Sequence, residues 1–368
     1  MRGMITLLAD SKKISIRQAA FLFLTVCFTP LVRLLPIYAG KRAKEAAWLV
    51  PFAAVVMFVL IAFIWQVFCK KYKSSSLMDI YSEISGVFIG RIISAIYLIW
   101  LVILTALYVR YFSIRFVGSI YTNININIFI ALILFVIAYT LRNGLITLAR
   151  FNEMILPVIT VTFYLLIILM LPNVKIGFLT PITYRSILPI LSGSIGAMGI
   201  LAYFSFVFII GDRINNKEDI KKIGISLALF LFIAMTMVVA VPLGMFSYSV
   251  VQRTQVPFLI AVKQISLFDV IEKFESIVVA FWVLSDFVLI SFFIICSLHI
   301  LEKLFKLSDT KPFINIHLIF IFILSNYFAK NSFEMEKFSE NIAIPINIAL
   351  GIAIPIIMFF TGKIRKKI

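Results

Sequence analysis

Runs of about twenty mainly apolar residues, the length that crosses a bilayer as a helix, recur ten times along these 368 residues. They cover approximately 17–39, 46–68, 89–117, 126–141, 148–171, 188–210, 220–246, 277–301, 313–328 and 342–360, the fourth and ninth being short. No other feature constrains the fold as strongly. Lipid offers the backbone no hydrogen-bonding partner, so a spanning segment of this length satisfies its own peptide groups as an α-helix. Hydrophobic residues make up 62% of the chain and charged residues 14%, against about half and about a quarter in soluble domains. The expectation is an all-α integral membrane protein, a single polytopic domain over 1–368 with about ten transmembrane helices.

The net charge of +17 does not indicate nucleic acid. Lys and Arg occur in small groups between apolar runs, as in Lys70-Lys71-Lys73, Lys221-Lys222 and Lys363-Arg365-Lys366-Lys367. Cytoplasmic loops are enriched in such groups, and membrane lipid with anionic headgroups is a sufficient partner. With the N-terminus inside, the inner loops hold the larger share of Lys and Arg, so both termini read as cytoplasmic. The N-terminus is polar with no A-x-A-like site after it, and no cleavable signal peptide is expected. Cys27, Cys69 and Cys296 lack CxxC spacing, which argues against a disulfide framework or zinc site. His299 and His317 have no second ligand at metal spacing, and no cofactor is expected. Without a nucleophile–base constellation, a P-loop or a dinucleotide fingerprint, an enzyme is not expected.

Two segments carry interruptions in corresponding places. The first has Thr29-Pro30 and Pro36 within "FTPLVRLLP"; the sixth, the first of the second five, has "LSGSIGAMG" with Gly193, Gly196 and Gly199. Proline removes a backbone donor and clashes with the preceding turn, and clustered glycine makes irregular backbone cheap. Paired interruptions in two halves point to inverted repeats with a midplane binding site between them. The repeats are expected over about 14–171 and 188–361. The same residues also serve kinks and close helix packing.

Ionisable residues inside a bilayer face cavities or each other. Arg33 follows the first interruption, and Asp286 lies mid-segment in "FWVLSDFVLISFF". The first and eighth helices are neighbours in inverted-repeat transporters, so Arg33 is expected to interact with Asp286, directly or through ligand or water. The alternative has Arg33 snorkel outward with Lys41 and Arg42. Interfacial anchoring accounts for Arg110 and Arg115 beside Tyr111. Glu153 is expected to pair with Arg150 or Arg142. The ligand-binding candidates are Thr29, Pro30, Leu31, Val32 and Arg33; Tyr97; Gly193, Ser194, Gly196, Gly199 and Tyr203; and Ser285 and Asp286. Two connecting stretches look amphipathic, 74–90 through Leu77, Ile80, Tyr81, Ile84, Val87 and Phe88, and 247–276 through Leu259, Ile260, Val262, Ile265 and Leu267.

Several stretches together resemble the B subunits of GerA-type spore germinant receptors. The most specific is "FDVIEKFESIVVAFWVLSDFVLISFF", in which Lys273, Glu275, Ser276 and Trp282 match the family's pattern. "ISIRQAAFLF", "AAWLVPFAAVV", "RNGLITLARFNEMILP", "FLTPITYRSILPILSGSIGAMGILAY" and "TQVPFLIAVKQISL" follow the family's order, so the likeness runs over nearly the whole chain. The family is similar to the amino acid–polyamine–organocation transporters with the LeuT fold. The resemblance implies that fold, five plus five helices with the first and sixth broken. It also implies a sensor in the spore inner membrane that binds a small germinant, commonly an amino acid, and acts with an A subunit and a lipoprotein C subunit. A secondary transporter of amino acids or related organic ions is the alternative reading, and a structural subunit with a vestigial pocket is a third. One departure stands out: where the family often has a Gly-x-Gly-like break, this chain has Thr29-Pro30-Leu31 followed by Arg33.

Overall fold

The computed structural model describes residues 13–119, 125–265, 275–329 and 331–368. Leu267, Lys273 and Lys330 lie outside the described residues. The chain enters through β1 (Ile14–Ser15) and α1 (Ile16–Ala43). Ser15 starts α1 as a reciprocal cap: its hydroxyl accepts from the Gln18 amide, and the Gln18 side chain accepts from the Ser15 amide. This pairing satisfies two donors that a helix start leaves open. A short 3₁₀ turn, Lys44–Leu49, leads into α2 (Val50–Lys71), so the 56-residue apolar stretch Ile16–Lys71 is two crossings.

α3 (Leu77–Ser85) is the amphipathic segment, capped by Ser76 and Asp79, with Leu77, Met78, Ile80, Tyr81 and Ile84 buried. Gly86 takes φ +99, a turn that favours glycine. This turn moves Val87 and Phe88 into the next helix, where both are exposed instead of sharing the buried face of α3. α4 (Val87–Ser119), α5 (Ile126–Asn143) and α6 (Leu145–Met170) follow. α7 (Ile187–Leu201) and α8 (Tyr203–Val207), extended by a 3₁₀ turn Phe208–Arg213, form the sixth crossing. β2 (Ile214–Asn215) then pairs in parallel with β1. α9 (Ile220–Phe246), α10 (Pro257–Lys263), α11 (Glu275–Phe305) and α12 (Lys311–Tyr327) lead to a last crossing of α13 (Ser332–Phe338), α14 (Ile344–Ile348) and α15 (Ile354–Ile364), joined by two π-helical turns. At about 1.5 Å per residue α12 is about 26 Å long, short for a bilayer, and it packs beside the equally short α5.

The two expected interruptions differ in kind. α1 remains helical through Pro30 and Pro36 instead of unwinding. What the prolines remove is two rungs of its ladder, those that would reach the carbonyls four residues back, at Val26 and Val32. The sixth crossing leaves regular α-helix only beyond the glycine cluster: Ala202 keeps helical dihedrals, and the kink comes at Ile210, with φ −93 and ψ 24. Gly193, Gly196 and Gly199 sit inside α7 as contact points. A Cβ at these positions would meet Val50 Cγ2 at 2.7 Å, the Tyr38 ring at 2.4 Å and Ile344 Cγ2 at 2.9 Å. The cluster therefore brings α7 against α1, α2 and the last crossing, the close-packing use of small residues in membranes.

The π turn Ala349–Ala353 packs closely on Ala202, the junction of α7 and α8. A Cβ on Gly351 would lie 2.4 Å from the Ala202 carbonyl oxygen. Widened turns leave carbonyls free, and two are used: Ser205 Oγ donates to the Gly351 carbonyl at 2.5 Å, and the Tyr97 hydroxyl donates to that of Leu350. The core is a large apolar cluster around α1, which touches α6, α7, α9 and α11, with a smaller second cluster that includes Phe163, Phe258 and Trp282. Ser15, Glu153, Arg213, Glu302 and Lys367 lie at one end of the bundle, called here the termini face; Trp48, Leu179, Lys263 and Glu336 lie at the other.

Candidate ligand site

The opposite end of the bundle holds a cavity of about 340 Å³, within the usual range for small-molecule pockets. Arg33 from α1, Tyr111 and Arg115 from α4, Leu259 and Lys263 from α10, and Glu336 from α13 are among its lining residues. α10 lies over it because Val262 and Ile265 are buried and Leu259 is partly buried, while Ile260 is 40% exposed. The described part of the 247–276 stretch, up to residue 265, thus packs on the protein.

Beneath the cavity, Asp286 of α11 is 1% exposed and its Oδ2 accepts from Arg115 Nη1 at 3.0 Å. Asp286 therefore pairs directly with Arg115, not Arg33. Arg33 is 9% exposed and lays its guanidinium over the Tyr111 ring, 3.4 Å from the centroid. It does not snorkel outward with Lys41 and Arg42. Lys41 binds Glu340 at 2.7 Å, and Arg42 stacks on Tyr38. Guanidinium over an aromatic face is favourable by about 2 kcal/mol or more when desolvated. Arg115 also lies over Trp282, 4.9 Å from the ring centroid. Trp282 is the tryptophan of the family-like stretch.

The site thus holds two buried guanidiniums and one carboxylate. Burial of charge is costly unless each group is paired, yet Arg33 Nε, Arg115 Nη2 and Asp286 Oδ1 have no hydrogen-bond partner among the described residues. The balance is one positive charge, with donors beside the cavity. An anionic group of small size, such as a carboxylate, meets both conditions, since guanidiniums bind carboxylates in a fixed fork geometry.

Around this centre runs a polar seam. Thr29 Oγ1 donates to Ser285 Oγ at 3.1 Å, and Ser285 Oγ donates to the Thr25 carbonyl at 3.0 Å, tying α1 to α11. The Tyr108 and Tyr203 hydroxyls meet at 2.8 Å, and Asn347 Nδ2 donates to Tyr203 at 3.2 Å. Trp100 Nε1 donates to Asn347 Oδ1 at 2.8 Å, and Tyr111 bonds to Ser339. These bonds tie the first crossing to the eighth and, in a second set, the third to the sixth and tenth.

Of the sequence candidates, Arg33, Asp286, Thr29, Ser285 and Tyr203 are brought to this region. Leu31 and Val32 face a narrow apolar crevice of about 40 Å³ toward α6 and α9, away from the charges. Tyr97 is buried against Tyr81 and Phe206. Ser194 donates to the Leu191 carbonyl of its own helix, and the glycines are packing contacts as described. Pro30 is buried in α1. Arg110 is no surface anchor either: it is buried and donates to the Ala329 carbonyl. Glu153 accepts from Gln18 at 2.9 Å instead of pairing with Arg150 or Arg142. The sequence assigns no role to Asn347 and offers only interfacial anchoring for Arg115 and Tyr111, whereas the structure brings all three to the site. A signal was present for two of them, because Tyr108, Tyr111 and Arg115 fall on one helical face at steps of three and four.

Comparison with known proteins agrees with this architecture. The family model described as spore germination protein matches residues 13–333. Spore germination protein KB of Bacillus subtilis (strain 168) is 21% identical over 366 residues, covering 97% of this chain and 96% of that protein. Spore germination protein YndE of the same organism is 24% identical over 98% of this chain and 99% of its own length. Among solved structures, the nucleobase-cation-symport-1 family transporter Mhp1 with bromovinylhydantoin bound superposes with a TM-score of 0.64 at 13% identity, covering 95% of this chain and 78% of its own. MhsT in complex with L-phenylalanine gives 0.64 at 12% identity, covering 92% and 88%. The chain belongs to the spore germination protein family and has the LeuT-like transporter fold.

Proposed function

We propose that this member of the spore germination protein family is the germinant-sensing B subunit of a spore germinant receptor. In this reading it binds a small molecule bearing a carboxylate, an amino acid above all, in the cavity over Arg33 and Arg115. The observation that carries the reading is the imbalance of two buried guanidiniums against one carboxylate beside a ligand-sized cavity. Arg33 Nε and Arg115 Nη2 would donate to the ligand carboxylate, and Glu336 is placed on the wall to meet an ammonium. Occupancy shifts the bundle only through a difference in affinity between two states. The Thr29–Ser285 and Tyr203–Asn347 bonds each join elements that such a shift would move. The chain senses and does not catalyse in this reading. It sits in the spore inner membrane with A-type and lipoprotein C-type subunits, and its basic termini face is cytoplasmic.

Spores carrying Arg33→Gln or Arg115→Gln test this directly. Each is expected to lose the response to the receptor's amino acid while still germinating through other receptors. A normal response from both, with the variant protein present in the membrane, rejects the site. The likeness to Mhp1 and MhsT favours a second reading, a working secondary transporter. Saturable, gradient-driven uptake of an amino acid into liposomes holding the purified chain alone would establish it over the sensor.

A further inference from the structure

A second charged centre lies at the termini face, far from the ligand cavity. His299 on α11 is 2% exposed. Its Nε2 lies 2.9 Å from Asp212 Oδ1, at the 3₁₀ end of the sixth crossing, and its Nδ1 lies 3.2 Å from Glu302 Oε2. A neutral imidazole carries one N–H and one lone pair. Either neutral tautomer would turn a lone pair onto a carboxylate oxygen at one of these contacts. Only the imidazolium sets a positive ring against both: its Nδ1–H donates to Glu302, and its Nε2 meets Asp212 at ion-pair distance, in an alignment short of a hydrogen bond. The carboxylates stand on opposite edges of the ring, so they do not converge on a common metal ion.

We infer that His299 is a proton-binding site whose imidazolium clamps the end of the sixth crossing to α11. The surrounding charges fit a bound proton. Arg213 Nη2 lies 2.6 Å from Glu302 Oε2. Lys303 Nζ lies 3.1 Å from Asp212 Oδ2 and 3.0 Å from Asp79 Oδ2, drawing in α3. Asp79, Asp212 and Glu302 are paired with Arg213 and Lys303, and Lys217 also acts electrostatically on Asp212 and Asp79; it is Asp212 and Glu302 that face the His299 ring directly and favour a proton on it. Lys217, the buried lysine after β2, donates to the Ser75 carbonyl at 3.1 Å. Lys13, Arg142, Asp309 and Lys311 stand farther out on the wall of a cavity of about 580 Å³ that His299, Asp212 and Glu302 also line.

The clamp is placed to act on the fold. Asp212 and Arg213 lead directly into β2, which pairs with β1 at the start of α1. Removing the proton leaves Asp212 and Glu302 facing an imidazole lone pair, and this weakens the link between α11 and the strand pair. The bundle then loosens at the termini face as pH rises. The inference stands apart from the ligand reading, and its test needs no germinant.

The test is nitrogen NMR of the full chain, labelled with ¹⁵N-histidine in nanodiscs, titrated with pH and followed in parallel by hydrogen exchange. His299→Gln identifies the His299 signals against those of His317. At pH 7 both His299 nitrogens are expected to carry protons. Loss of one proton at higher pH is expected to coincide with faster exchange at Ile14–Ser15 and Ile214–Asn215. Asp212→Asn should bring that loss about one to three pH units lower, the usual effect of one adjacent opposite charge. A neutral ring at pH 7 would overturn the inference. So would a deprotonation that leaves exchange at the strand pair unchanged, or an Asp212→Asn protein that titrates as the parent does.

Discussion

Removing Asp286 should cost far more than removing Asp286 and Arg115 together. The pair is 3.0 Å apart, with side-chain exposures of 1% and 11%, so it belongs to the buried class and not among surface bridges. Deleting one partner of a buried pair strands the other charge and costs about 3–5 kcal/mol, whereas exchanging both for apolar residues of similar volume is often neutral. The proposed set is Asp286→Leu, Arg115→Met and the double variant, unfolded in mixed micelles of mild and denaturing detergent. Each single variant is expected to lose about 3–5 kcal/mol, and the double variant to recover most of it. A parallel cycle of Asp286→Leu with Arg33→Met should give a smaller coupling, because Arg33 is committed to the Tyr111 face. Additive losses for Arg115 and Asp286, or a larger coupling through Arg33, would refute the assignment of partners.

Other outcomes follow from the same contacts. Gly196→Ala drives a Cβ to 2.4 Å from the Tyr38 ring. This overpacking costs about 1–3 kcal/mol and should lower the yield of folded chain by fluorescence-detected gel filtration, while Gly177→Ala, with open space around it, should not. Tyr203→Phe deprives both Tyr108 and Asn347 of a partner, so a loss of about 1–3 kcal/mol is expected, read by the same unfolding assay. Asp79 is partly buried, which favours its neutral form, but hydrogen bonds from Ser76 and Lys303 prevail and hold its carboxyl below the usual range. A carboxyl lowered on folding stabilises above its ordinary value and loses that contribution as pH falls through the folded one. Exchange protection of α3 should therefore drop on acidification in the parent chain and be weaker throughout in Asp79→Asn.

The helices were legible because hydropathy over twenty residues is a local property, and even the short fifth and twelfth helices stand where the apolar runs put them. Arg33 and Asp286 were legible as buried charges for the same reason. Their partners were not. Arg115 lies near the end of the 33-residue α4, where an arginine ordinarily meets headgroups. It is buried because α10, over a hundred residues later, folds across it. The glycines of α7 show the converse case. Glycine permits both an irregular backbone and a close approach, and the choice between them was made by Tyr38, Val50 and Ile344 on other helices. The prolines of α1 likewise weaken its ladder without unwinding it, since neighbouring helices hold the rest of the turn.

The central claim is that the cavity over Arg33 and Arg115 takes a carboxylate. Calorimetric titration of the purified chain in nanodiscs with the common L-amino acids, each compared with its carboxamide, tests it most directly. The account predicts that at least one amino acid binds, that its carboxamide binds at least about a hundredfold more weakly because buried guanidinium donors are then left without their anion, and that Arg33→Gln abolishes the difference. Equal binding of acid and amide, or binding that Arg33→Gln and Arg115→Gln leave unchanged, would contradict it.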